Sequence, residues 1–150
     1  MLVVATGSLL LLSSETKKTY NHCQVPCGIF DDPAIVSEIK QACTTIRKAI
    51  VQSKSLHGKS GSDPLALNQM VRWINTKEEH CSKIITLIAE YCLCQRIKRP
   101  EFKTEADYLQ ALQLHHNVMQ AAMKAKQSMD EAACDALEHA VDDFAKMYTK

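Results

Sequence analysis

From Pro33 to Met147 the chain sets an apolar residue at every third or fourth position, with only Gly58, Gly61, Pro64 and Pro100 as breakers. A strand turns a new side outward every two residues, so this rhythm fits helices and predicts an all-α fold. The first helix opens at Asp32-Pro33, where the aspartate can cap free amides and the proline suits the first turn. It runs to about Lys54, with Ile35, Ile39, Ala42 or Cys43, Ile46 and Ile50 along one side. After a polar loop from Leu56 to Ser62, Asp63-Pro64 repeats the start signal. The second helix carries Leu67, Met70, Val71, Ile74, Cys81, Ile84, Ile88 and Tyr91, with Lys77 in the same register, and meets no breaker until Arg99-Pro100. Thr104 to Asp107 opens a third, with Tyr108, Ala111, Leu112, His115, Val118, Met119 and Ala122 on one side. Ser128, followed three residues later by Glu131, reads as a capping box for a fourth, striped by Ala133, Leu137, Ala140, Phe144 and Met147. Four such helices on short loops bury their stripes most economically as an up-down-up-down four-helix bundle.

The 150 residues, 46% of them hydrophobic, suffice for one domain with a real core. Lys and Arg number 18 against 17 for Asp and Glu, a balance that gives no sign of nucleic acid or of an anionic membrane as partner. Seven cysteines are an odd number, which excludes a fully paired disulfide framework and fits a reducing compartment. Cys43, Cys81, Cys92, Cys94 and Cys134 lie in helical stretches without zinc-finger spacing, so packing as small apolar groups is expected. Cys92 and Cys94, two apart, should face opposite ways. Of the adjacent His115 and His116 only one can face the core, while His57 and His139 are isolated and expected in solvent.

One stretch departs from the scaffold pattern. His22-Cys23-Gln24-Val25-Pro26-Cys27-Gly28-Ile29-Phe30 crowds an imidazole, two thiols, a proline and a glycine into nine residues. Two thiolates three residues apart behind a histidine can wrap one transition-metal ion, with Pro26 curving the loop and Gly28 letting the backbone turn away. By spacing alone, a pair of buried thiols, a local disulfide or half of a zinc site stand beside that reading.

The hook resembles the N-terminal active-site loop of the nickel superoxide dismutases, which begins His-Cys-x-x-Pro-Cys-Gly. His22, Cys23, Pro26, Cys27 and Gly28 sit at the family's spacing, and the run continues into Asp31-Asp32-Pro33 with one extra residue. The resemblance implies a nickel ion as cofactor, superoxide as substrate, and a hexamer of bundles. As ligands it implies the Cys23 and Cys27 thiolates, the Cys23 backbone nitrogen and the His22 amine, with the His22 imidazole joining in the oxidised state. Glu38, sixteen residues after His22, stands near the family's glutamate that orients this imidazole. His80, in Lys77-Glu78-Glu79-His80, stands where an arginine is usual, and Phe30 stands where the family carries a tyrosine. Ile97 to Phe102 resembles the family's Phe-Lys-Pro-x-x-Phe in part, and Cys94, Gln95 and Arg96 replace the aromatic and acidic residues before it. A nickel or zinc carrier without turnover is the alternative reading, and a helical interaction module with structural cysteines is a third.

Residues 1–21 have no counterpart in the mature family. Met1 to Leu12 is apolar but too short to span a bilayer, and Lys17 and Lys18 lie on the wrong side of it for a signal peptide. The expected organisation is a leader, 1–21, removed by a processing protease, then a domain, 22–150, made of the hook 22–30 and the bundle 31–150. The mature form is expected in the cytoplasm, free of membrane, with organelle or secretory targeting by the leader as the other option.

Overall fold

The computed structural model describes residues 30–149, and among them every regular element is a helix. α1 covers Asp32–His57, α2 Pro64–Thr86, α3 Glu105–Lys126 and α4 Glu131–Ala145. α2 runs without interruption into a π-helical segment, Leu87–Arg96, and a 3-10 turn at Arg99–Glu101 leads towards α3.

Each α-helix starts on a side chain that accepts an otherwise orphaned amide. Asp63 accepts from the Leu65 amide at 2.9 Å and Thr104 from that of Asp107 at 3.1 Å, as their sequence signals predict. Two caps differ from expectation. Asp31, and not Asp32, caps α1 by accepting from the Ala34 amide at 3.0 Å, because the extra aspartate moves the boundary back by one residue. Asp130, and not Ser128, caps α4, while the Ser128 hydroxyl accepts from the Asp130 amide and shapes the preceding turn.

The helices form a ring in which α1 touches α2 and α4, and α3 touches the same two. Neighbours run antiparallel: Lys40, Arg47 and Lys54 on α1 pair with Asp142, Glu138 and Glu131 on α4, in opposite numbering order. The core holds Ile39, Ile46, Ile50, Ile84, Ile88, Val118, Leu137, Val141 and Phe144, all fully buried. α3 contributes mainly alanines to it, and His115 fills the space they leave. Its Nδ1–H donates to the Ala111 carbonyl and its Nε2 accepts from the Tyr148 hydroxyl, each at 2.7 Å, with the ring edge-on to Phe144. His116 faces solvent, as adjacency on a helix requires.

Lys77 is buried as its register predicts, its ammonium shared between Glu78 and the carbonyls of Ala125 and Lys126 at the end of α3. A cation there satisfies acceptors that the last turn of a helix leaves free. The start of α2 differs from expectation, since Leu67 and Val71 are each 46% exposed. The buried line of the helix runs through Ala66, Lys77, Cys81 and Ile84. Leu67 stands one residue off Ala66, and Val71 one off Met70, which rotates each of them about 100° away. No described helix is long and apolar enough to cross a membrane.

Candidate metal centre

His22, Cys23 and Cys27 lie outside the described residues, and the first residue on the page is the hook's last, Phe30. What the structure shows is how that end is fixed to the bundle. Phe30 meets Tyr91 edge-on, ring centroids 5.8 Å apart, and the Arg96 guanidinium carbon lies 4.7 Å from the Phe30 ring centre. Two residues on, Asp32 takes a two-pronged ion pair from Arg96, Nε at 3.0 Å and Nη2 at 2.8 Å, and a hydrogen bond from the Tyr91 hydroxyl at 2.8 Å. Burial works to raise the Asp32 pKa, but the bonds from Arg96 and Tyr91 outweigh it and hold the carboxyl below its ordinary range. The Tyr91 phenol moves up, through burial first and the bond to Asp32 second.

This grip depends on the π-helical segment. In an α-helix residues five apart diverge by about 140°, so Tyr91 and Arg96 could not both reach one carboxylate. A π-helix bonds each residue to the fifth one before it and so stacks residues five apart along the axis. The Ile97 amide donates to the Cys92 carbonyl at 3.1 Å in this pattern. Tyr91 entered the sequence reading as part of a core stripe and Arg96 as a departure from the family's letters. No apolar period marks them as partners of Asp32.

Glu38 lies on α1 facing α2 and pairs with Lys83 at 2.6 Å, both side chains partly exposed. His80, one turn before Lys83, lies with its Nδ1 2.8 Å from the Thr76 carbonyl, to which an Nδ1–H donates. Among the described residues, Glu38 and His80 are not bonded to each other. The structure therefore brings a lysine to Glu38 that the sequence reading did not name.

The other thiols are poor competitors for a metal. Cys43, Cys81, Cys92 and Cys134 are buried, and burial pushes their pKa values up to about 12, 11, 12 and 11. A soft metal binds the thiolate, and these groups stay protonated near neutral pH. Cys94 is exposed, so Cys92 and Cys94 do face opposite ways. Among the described residues no three His, Cys, Asp or Glu side chains gather closely enough to hold an ion. The donor chemistry that suits nickel, soft anionic sulfur beside nitrogen, is concentrated in His22, Cys23 and Cys27.

Comparisons with curated proteins and with solved structures gave no match. The profile of the nickel-containing superoxide dismutases does match, over residues 17–150. That span takes in the hook and all four helices, and the all-helical bundle agrees with it. With the match running from ahead of His22 to the last residue, the chain belongs to the nickel-containing superoxide dismutase family, and is an oxidoreductase with nickel as cofactor and superoxide as substrate.

Proposed function

We propose that His22, Cys23 and Cys27 hold the nickel, and that dismutation runs by one-electron cycling between Ni(II) and Ni(III). The observation that carries this is the spacing His-Cys-x-x-Pro-Cys-Gly at His22 to Gly28, inside a chain that matches the family. Nickel held there would supply a one-electron couple, which is what conversion of two superoxides and two protons into oxygen and hydrogen peroxide requires. The Cys23 and Cys27 thiolates donate electron density that brings the higher oxidation state within reach. The Cys23 backbone nitrogen, the His22 amine and the His22 imidazole would be the nitrogen donors that complete the set. Glu38 and His80 orient that imidazole. The Lys83 ion pair keeps the Glu38 carboxylate against α2, and the Thr76 carbonyl engages Nδ1 of His80, leaving Nε2 as the ring nitrogen for a further contact.

Residues 1–21 are a propeptide cut off before His22 by a processing protease. In the uncut chain the His22 nitrogen is a planar, weakly basic amide, and cutting turns it into an amine with a lone pair available near neutral pH. The mature domain works in the cytoplasm as a hexamer. Exposed Leu67 and Val71, one turn apart on one side of α2, support assembly, since that pair is left uncovered in one chain.

The test compares a chain beginning at His22 with the 150-residue chain and with one keeping a single extra residue before His22. The first should bind about one nickel per subunit and dismute superoxide, and the other two should be nearly inactive though fully helical. Equal turnover by all three would show that the His22 amine is not a ligand.

A further inference from the structure

Phe30, Asp31 and Asp32 are three consecutive residues, and each is held by a different contact. Phe30 meets the Tyr91 ring nearly at right angles and the Arg96 guanidinium carbon over its own ring, Asp31 caps α1, and Asp32 is gripped by Arg96 and Tyr91 together. The Asp32 and Arg96 side chains are only 18% and 32% exposed, less than in the Lys40–Asp142 and Lys54–Glu131 pairs of the α1–α4 flank, while Arg47 there is about as buried as Arg96. Cys27 stands three residues before Phe30. Covalent geometry alone keeps its Cα within about 11 Å of this cluster.

We propose that Arg96 is a positioning residue for the nickel hook: its fork on Asp32 and its guanidinium over the Phe30 ring fix the residues to which the hook is joined. The inference rests on the assignment of nickel to that hook. Arg96 can do this because guanidinium is both planar and two-pronged, whereas a lysine could give the charge without either grip. It can do so only from a π-helical segment, which turns Arg96 to the same side as Tyr91. An alternative use of Arg96, attracting superoxide by its charge, is disfavoured by the same geometry, since the Asp32 carboxylate at 2.8 Å neutralises it.

The test uses Arg96→Met, Arg96→Lys and, as a reference, Arg47→Met, which removes an arginine of like bonding from the α1–α4 flank. Amide exchange is measured on the full metal-free chain. Nickel release to a chelator is followed on cleaved, loaded protein by the loss of thiolate-to-nickel absorption. Arg96→Met is expected to speed exchange at Ala34, Ile35 and Val36 about tenfold and nickel release about tenfold, with the starting absorption unchanged. Arg96→Lys should recover less than half of either effect, and Arg47→Met should change neither. Unchanged exchange in Arg96→Met would overturn the proposal, as would faster exchange with nickel released at the wild-type rate. If the unsubstituted cleaved protein takes up no nickel, the metal assignment fails, and the exchange result then decides by itself whether Arg96 anchors the loop.

Discussion

Arg47 and Arg96 each form a two-pronged pair with a carboxylate, yet they hold different things. Arg47 joins the middle of α1 to α4 through Glu138 at 2.7 Å and 2.9 Å, with Asp135 one turn away on the same helix. Its partners are three residues apart, so an ordinary α-helix presents both. Arg96 reaches the very start of α1 from a π-helical segment and shares its carboxylate with Tyr91, five residues back. The first pair ties one regular helix to another. The second ties a regular helix, and the loop entering it, to the one stretch where regular α geometry is given up. The difference teaches that identical side-chain chemistry serves the scaffold where the helix is regular and the loop where it is not.

The sharpest division between loop and scaffold comes from Cys27→Ser in the cleaved protein. Serine is a far weaker donor to a soft metal, so activity and thiolate-to-nickel absorption should vanish while the metal-free thermal midpoint stays unchanged. Retained activity would remove the hook from the chemistry. Next in size is thiol reactivity without metal. Cys43 and Cys92, raised to about 12, hold roughly a thousandfold less thiolate at neutral pH than an unperturbed thiol, and Cys81 and Cys134 about a hundredfold less. Of the five thiols of the bundle, a disulfide reagent should therefore modify exposed Cys94 quickly and the other four only on unfolding. Fast reaction of Cys43, Cys81, Cys92 or Cys134 would mean that the core opens readily.

A smaller effect is expected from Asp32→Asn, which removes the charge from the bonds to Arg96 and Tyr91. It should cost about 2 kcal/mol of stability at pH 7. Because the folded Asp32 pKa is lowered, this stabilisation is full above the ordinary carboxylate range and is lost as pH falls through the folded value. The gap between wild type and variant should narrow accordingly in acid-unfolding curves. His115 acts in the same pH direction by another route: burial lowers its pKa, so stability begins to decline as pH drops below about 6.5. That decline is common to both proteins and cancels in their difference. A gap that stayed constant down to pH 2 would show that the Asp32 charge is not what matters at the hook's base.

The smallest change is expected from Phe30→Tyr. The ring keeps its contacts with Tyr91 and Arg96, and the added hydroxyl gives an incoming anion or an ordered water a donor. Saturation or peroxide sensitivity should shift about twofold to threefold, with nickel content unchanged. Loss of nickel instead would make Phe30 a packing element whose shape, more than its polarity, sets the hook.

Much of the scaffold is legible in the chain itself. A 3.6-residue apolar period and four side-chain caps determine four helices and their buried faces, because both are local: each depends on residues within one turn. The same locality makes His22 to Gly28 readable, since a chelate built from adjacent residues carries its geometry in its spacing. The caps of α1 and α4 fell one and two residues from the expected Asp32 and Ser128, because neighbouring residues compete for the same free amides; the other differences came from contacts elsewhere in the fold. Leu67 and Val71 belong to a helical period, but which side of α2 is covered depends on where α1 and α3 lie. Glu38 is visible as a helix residue and Lys83 as another, yet their ion pair exists only because two helices pack side by side. The change to π-helix at Leu87 leaves no apolar signature, since a widened turn still buries Ile88, Tyr91 and Cys92. Sequence by itself determined the helices and marked out the His22 to Gly28 motif. Only the tertiary structure decided how the hook is anchored, because the Asp32, Tyr91 and Arg96 contacts join residues 59 and 64 positions apart, and no local rule specifies such a meeting.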